Sequence, residues 1–309
     1  MIEGQEGVTW DDWVALAKTC ERAGIEALFR SDHFLSPGAE RDALDAWTTI
    51  AGLAARTSTL RLGTLVSPVT FRHPTILAKA AVTADHISGG RIEVGIGAGW
   101  MEEEHRAFGF RFPPLRERME MLAEQLEIVH AQWTQERFSF AGKHYTLEDC
   151  PSLPKPIQQP HPPLIVGGKA TPASVEPAVR FATEYNNITA DVEELRRRRR
   201  VLDEACEHAG RDPSTLRMSY MTGFVLGSGR DELLEQARLS LERWGSPMQP
   251  EEALERYASR GVAGTPDEFV EGLRGLADAG VERVMLQHIR HDDLETVELL
   301  GREVVPKLT

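Results

Sequence analysis

Leu60-Arg61-Leu62-Gly63-Thr64-Leu65-Val66, an amphipathic stretch from Pro74 to Ile87, the turn Ser88-Gly89-Gly90, and then Arg91-Ile92-Glu93-Val94-Gly95-Ile96 make up the run on which the fold turns. Two short aliphatic and β-branched segments flank a helix-patterned one, which reads as strand, helix, strand. Pro68 stops the first strand because it has no N–H to offer a sheet ladder. Pro74 opens the helix at a position where that missing N–H costs nothing. A crossover of this length joins parallel strands, and such crossovers are right-handed.

The alternation continues on both sides. Thr9 to about Ala23 reads as a helix, with Asp11 and Asp12 in its first turn and Gly24 at its end, and leads to a strand through Ala27-Leu28-Phe29. A second helix is expected from about Asp45 to Arg56. Downstream come a helix from about Arg116 to Trp133, a strand Leu164-Ile165-Val166 closed by Gly167-Gly168, and strands near 182–188, 217–226 and 283–287. A last helix starts at about Asp292. The span Arg137 to Pro163 reads as an insertion loop, since six of the fourteen residues from Cys150 to Pro163 are proline and cannot continue a helix. Counting Met1-Ile2 as the end of a first strand gives eight strands, each followed by a helix. These close most simply into a (β/α)8 TIM barrel, a single α/β domain over residues 1–309, with a doubly wound open sheet as the alternative. A strand normally needs about five residues, so Met1-Ile2 ahead of Glu3-Gly4 implies a late start or a clipped first strand.

Composition narrows the function. The 309 residues carry 35 Lys and Arg against 48 Asp and Glu, a formal net charge of −13, which argues against nucleic acid as a partner. A hydrophobic content of 41% with 27% charged residues is that of a globular chain with a sizeable core. No run approaches the roughly 18 apolar residues of a membrane span, and Met1-Ile2-Glu3-Gly4-Gln5-Glu6 lacks a signal peptide's basic and apolar regions, so a cytoplasmic protein is expected. Cys20, Cys150 and Cys206 are odd in number and far apart, which leaves neither a disulfide framework nor a CxxC motif.

In a barrel, residues just beyond strand ends converge on the catalytic rim. Asp32-His33 follows one strand and could supply a carboxylate and a general acid or base, or be structural loop residues. Gly95, Gly97 and Gly99 follow another; lacking the G-x-G-x-x-G spacing they are a poor dinucleotide signal, but they could let a planar cofactor or phosphate approach the backbone, or form a plain tight turn. Gly167-Gly168, ahead of a helix that starts at Thr171-Pro172, could hold an anion on free N–H groups, or be an ordinary turn. His288 and His291 lack a third ligand, so no metal is expected. Arg196 to Arg200 reads as a solvated helix face paired with Glu193, Glu194, Asp203 and Glu204. Trp10, Trp13, Trp47 and Trp133 fall on helices as packing residues. No G-x-S-x-G, P-loop lysine or paired-carboxylate motif appears.

Taken together, Phe29-Arg30-Ser31-Asp32-His33-Phe34, Leu62 to Pro68, Phe71-Arg72-His73-Pro74, Leu77-Ala78-Lys79, Ser88 through Trp100, Lys155 through Pro163, Ile165 to Gly168, and Gly264-Thr265-Pro266-Asp267-Glu268 span nearly the whole chain. With them the sequence resembles the luciferase-like monooxygenase superfamily, and within it the oxidoreductases dependent on coenzyme F420, a 5-deazaflavin. The resemblance implies a TIM barrel with an insertion, a homodimer, and a deazaflavin ring in the barrel mouth. It implies that Asp32 and His33 lie beside the ring's polar edge and the face where hydride moves. Thr64, Leu65 and Val66 would form a bulge, commonly with a non-proline cis peptide, against the other face. Gly97, Gly99, Val166, Gly167 and Gly168 would contact the ribityl chain and phosphate.

The chain departs from the sugar-phosphate dehydrogenase branch of that family. Trp100 stands where that branch has an acidic residue after the G-x-G turn, Pro37 stands about where it has a Trp, and Asn186 to Val192 contains no Lys to anchor a substrate phosphate. His33 and Glu3 support a neutral or cationic organic substrate instead. The expected activity is hydride exchange between C5 of F420 and that substrate, with His33 carrying the proton. An FMN-dependent monooxygenase using reduced flavin and O2, and a non-catalytic flavin-binding protein, are the alternatives.

Overall fold

Helix starts fall where the sequence supplies caps. In the computed structural model of the chain, which describes residues 1–37 and 41–308, Thr9 and Asp12 form a reciprocal capping box at the head of α1 (Trp10–Arg22). Asp45 caps α2 (Ala46–Ala54) through the Thr48 N–H. His73 and Pro74 open α3 (Pro74–Ser88), which ends on Gly89 in the left-handed conformation at φ 68°. The remaining helices are α4 (Glu102–Phe108), α5 (Leu115–Thr134), α6 (Pro172–Phe181), α7 (Val192–His208), α8 (Arg230–Trp244), α9 (Pro250–Ala258), α10 (Pro266–Asp278) and α11 (Leu294–Leu299).

The strands are β1 (Ala27–Arg30), β2 (Arg61–Pro68), β3 (Ile92–Gly97), β4 (Arg137–Ala141), β5 (Thr146–Pro151), β6 (Leu164–Gly168), β7 (Glu184–Ile188), β8 (Arg217–Gly223), β9 (Val225–Leu226), β10 (Ala263–Gly264) and β11 (Arg283–Gln287). Seven of them form one sheet in the order β1-β2-β3-β6-β7-β8-β11, every neighbouring pair parallel. That order follows the chain, whereas a doubly wound sheet reverses at a switch point. The sheet curls. Its two edges, β1 and β11, are joined through Met1-Ile2: the Met1 amine donates to Leu286 O (2.9 Å) and His288 N to Met1 O, while Ile2 N donates to Phe29 O and Ser31 N to Ile2 O.

The expected eighth strand is therefore a bridge between Ile2 and Arg30. β1 and β11 are not paired with each other, and an apolar cavity of about 560 Å³ lies against Leu28, Phe29, Val284 and Leu286. Two further expectations need correction. The span 137–163 is not all loop, because β4 and β5 pair as an antiparallel hairpin whose Phe138 packs on Ile128 and Ala131 of α5. The strand read over 217–226 is two: β8 stays in the main sheet, and β9 pairs with β10. The core lies between the sheet and its surrounding helices, with Trp13, Leu62, Val94, Trp133, Tyr220 and Phe269 fully or almost fully buried.

Candidate active site

β1 delivers Ser31, Asp32 and His33 to the C-terminal end of the sheet. Asp32 is fully buried. Its Oδ2 accepts from Ser67 Oγ (2.6 Å), at the end of β2's bulge, and from Arg72, whose other terminal nitrogen donates to Asp45 Oδ2 (2.6 Å). Ser67 Oγ in turn accepts from Trp47 Nε1 (3.0 Å). The other oxygen, Asp32 Oδ1, is buried with no hydrogen-bond partner. A buried acceptor left unmade costs free energy unless a donor arrives, so Oδ1 is placed to receive one.

His33 sits next to it in a different environment. Nδ1 donates to Glu104 Oε2 (2.8 Å), and the other Glu104 oxygen accepts from the backbone N–H groups of Phe34 and Leu35 (3.1 Å for the latter). Glu104, on α4, is fully buried, and the His33 side chain is 12% exposed. Burial alone would lower the His33 pKa. The hydrogen bond and charge of Glu104, with smaller help from Glu3 and Asp32, outweigh it and leave the pKa raised. The Trp100 ring, 65% exposed, stands edge-on to the imidazole with centroids 5.6 Å apart.

The β2 bulge faces these groups. Register slips between Thr64 and Ser67, and the Leu65–Val66 peptide is cis, as the resemblance implies. Val66 leans over β3 and β6: a Cβ at Gly97 would lie 2.4 Å from Val66 Cγ2, one at Gly95 2.9 Å from Val66 Cγ1, and one at Gly167 3.6 Å from the same methyl. The glycines at 95 and 97 therefore first serve strand-to-strand packing. Gly99 (φ 77°) requires the left-handed region and closes the turn against Pro68 and Thr70. Val166 is buried opposite Ile96. Gly168 makes room for the Tyr185 hydroxyl, which accepts from Ala170 N (2.8 Å) and meets Ser174 Oγ (2.7 Å). At the head of α6, the Thr171 side chain makes no cap bond.

A sequence profile for luciferase-like monooxygenases matches residues 2–283. The chain belongs to the luciferase-like monooxygenase family. It is 28% identical to an F420-dependent glucose-6-phosphate dehydrogenase of Microbacterium testaceum, over 93% of this chain and 90% of the relative. It is 26% identical to an FMNH(2)-dependent dimethylsulfone monooxygenase of Pseudomonas putida, over 94% and 86%. Among solved structures, the coenzyme F420 dependent tetrahydromethanopterin reductase of Methanopyrus kandleri superposes with a TM-score of 0.80 at 20% identity, over all of this chain and 98% of the other, a likeness of fold.

Within this luciferase-like chain, Asp32, His33, Thr64, Leu65, Val66, Gly97, Gly99, Val166, Gly167 and Gly168 are gathered at the C-terminal ends of β1, β2, β3 and β6. Sequence reading missed Glu104 and Arg72, the partners of His33 and Asp32. The signal for Glu104 was faint: three consecutive glutamates at 102–104 open a short helix, an ordinary preference for a first turn. His288, one residue past the end of β11, has Phe224 as a ring neighbour, with centroids 5.8 Å apart. It donates from Nε2 to Asp293 O (2.9 Å), and burial pushes its pKa down to about 4. The arginine run is not uniformly solvated, which corrects the expectation. Arg196 is half-buried and Arg197 exposed, but Arg198 is buried and reaches Ile188 O (3.0 Å) at the end of β7, and Arg199 reaches Leu216 O (3.0 Å).

Proposed function

We propose that this chain is an F420-dependent oxidoreductase of the luciferase-like class, exchanging a hydride with a small neutral or cationic organic substrate at the mouth of a (β/α)8 barrel. The observation that carries this reading is the pairing of Asp32 Oδ1, a buried acceptor awaiting a donor, with His33, whose Nδ1 is fixed on Glu104. When bound, the deazaflavin supplies two-electron hydride chemistry at C5. Asp32 would receive an N–H of its polar edge, and Thr64, Leu65 and Val66 would support its other face. Gly97, Gly99, Val166, Gly167 and Gly168 would line the path of the ribityl chain toward the N–H groups heading α6, with the exposed Lys169 beside them. His33 would carry the proton at Nε2. Arg72 is committed to Asp32 and Asp45, which fits a substrate without a phosphate. A homodimeric, cytoplasmic enzyme completes the reading.

FMN is the alternative cofactor, favoured by the similarity to the dimethylsulfone monooxygenase. Titrating the purified protein with F420 and with FMN side by side, following F420 fluorescence and flavin absorbance, separates the two. F420 binding with FMN at least tenfold weaker is expected; the reverse order would assign the FMN chemistry. His33→Ala should cut turnover by about 10²-fold or more while cofactor affinity changes little, as expected for loss of a general acid or base.

A further inference from the structure

We propose that Glu104 is the positioning residue of His33, and that the pair is set to deliver a proton, so that this site is built for reducing a polarised C=O or C=C bond. The direction of reaction rests on the F420 reading above; the positioning role does not.

The geometry is specific. Glu104 spends both oxygens on one short segment: Oε2 on the His33 imidazole and Oε1 on the Phe34 and Leu35 N–H groups. A single buried carboxylate thereby fixes the backbone that carries His33 and the orientation of its ring. With Nδ1–H committed to Glu104, the nitrogen available to the site is Nε2, which has no hydrogen-bond partner among the described residues. In neutral His33 with its proton on Nδ1, Nε2 is an acceptor; in the imidazolium it is a donor.

The surroundings favour the second form. The charged groups facing His33 are Glu104 from α4, Glu3 from the amino-terminal segment, and Asp32 from its own strand end, all acidic. Arg72, the cation on Asp32, is held by Asp32 and Asp45. A charge in a mostly buried site persists when an opposite charge touches it, and Glu104 is in contact. Contact with Glu104 thus shifts His33 toward the imidazolium, the form that can act as a general acid.

A bound, reduced deazaflavin would supply the hydride, a hydrogen with both electrons of its C–H bond, and would lose a ring N–H proton to solvent, a two-electron oxidation matched by the two-electron reduction of the acceptor. The acceptor carbon would take the hydride, the π pair of its double bond would move to the other atom, and that atom would take the proton of His33 Nε2. His33, left neutral with Nδ1–H still on Glu104, would regain its proton from solvent.

The test begins without cofactor. Imidazole ¹⁵N–¹H NMR of the cofactor-free protein should show His33 titrating above the ordinary histidine midpoint, with Nδ1 protonated throughout. Glu104→Gln keeps an oxygen for the Phe34 and Leu35 N–H groups but removes the charge, and should move that midpoint downward. Glu104→Asp keeps the charge, and should leave the midpoint raised if the fold accepts the shorter chain. An unmoved midpoint in E104Q overturns the positioning role. With reduced F420 and 2-cyclohexenone as the probe acceptor, turnover should fall as pH rises through the His33 midpoint. In E104Q that fall should begin at lower pH, with kcat reduced and the cofactor KM nearly unchanged. Turnover that instead rises with pH through the midpoint would make His33 a base and overturn the assigned direction. A protein that passes the NMR test but binds no F420 would sink the cofactor reading alone.

Discussion

Arg197 and Arg198 are adjacent in sequence and opposite in environment. Arg197 is exposed and paired with Glu194, a surface contact screened by solvent that contributes little. Arg198 is 4% exposed and crosses back over its helix to the carbonyl of Ile188, with longer contacts to Asn187 and Thr189. Removing a charged donor from buried acceptors costs about 1–3 kcal/mol. Arg198→Ala should therefore lower unfolding stability by that amount in urea titrations, while Arg197→Ala should leave it nearly unchanged. His33 gives a second residue-scale expectation, with the opposite reach. Its folded pKa is raised above the unfolded value, so its ion pair with Glu104 stabilises fully below the unfolded pKa and the contribution is lost as pH rises through the folded pKa. The stability advantage of the wild type over E104Q, measured by unfolding from pH 6 to pH 8, should narrow as pH rises.

At the scale of elements, the βα alternation was legible because each strand and helix carries its own period and caps. Asp45 before α2, Pro74 in α3 and Gly89 after it all sit where the sequence predicts. What the sequence hides is any relation between elements. The His33–Glu104 contact joins positions 71 apart, across β1 and α4. The arginine period was readable, but which face meets the end of β7 was not. Gly95 and Gly97 show the same limit: their spacing looks like a ligand turn, yet the reason for both lies in the neighbouring strand. A Cβ at 97 would meet a side-chain methyl of Val66 at 2.4 Å, whereas one at 95 would meet the Thr64 carbonyl oxygen at 2.2 Å. Gly97→Ala should cost about 1–3 kcal/mol by overpacking, and Val66→Ala should recover most of that loss in the double mutant. The same second substitution should not rescue Gly95→Ala, because backbone cannot be trimmed. Equal rescue at both positions in a double-mutant cycle would show that the bulge moves freely.

Across the whole molecule, the two ends of the sheet divide the work. The C-terminal ends hold Asp32, His33, the bulge and the glycine turns. The N-terminal ends hold a knot of charge, in which Arg283 donates to Glu93 Oε2 (2.7 Å), Glu184 Oε2 (3.0 Å) and Glu26 Oε1 (2.5 Å), and Arg61 also reaches Glu93. The Glu93 and Glu184 side chains are almost fully buried. Burial pushes both carboxyls upward; Arg283 and Arg61 overcome this at Glu93, which lies below its ordinary value, while Glu184 stays above its own. Arg283→Met would leave two buried carboxylates short of their cation, a loss of about 3–5 kcal/mol. The sign with pH follows from Glu93. Its lowered pKa stabilises the fold above the unfolded value and is lost as pH falls through the folded one, so the mutant's deficit in urea unfolding should be largest near neutral pH and narrow in acid. Glu93 and Gly97 are four residues apart on β3, roughly 13 Å at about 3.3 Å per residue, beyond the range at which substitutions usually couple. Arg283→Met should accordingly leave the affinity for F420, or for FMN if that is the cofactor bound, within about twofold of wild type in titrations at a temperature where the mutant is folded. A tenfold weaker affinity there would mean that the charge knot and the His33 end of the sheet are mechanically coupled rather than separate.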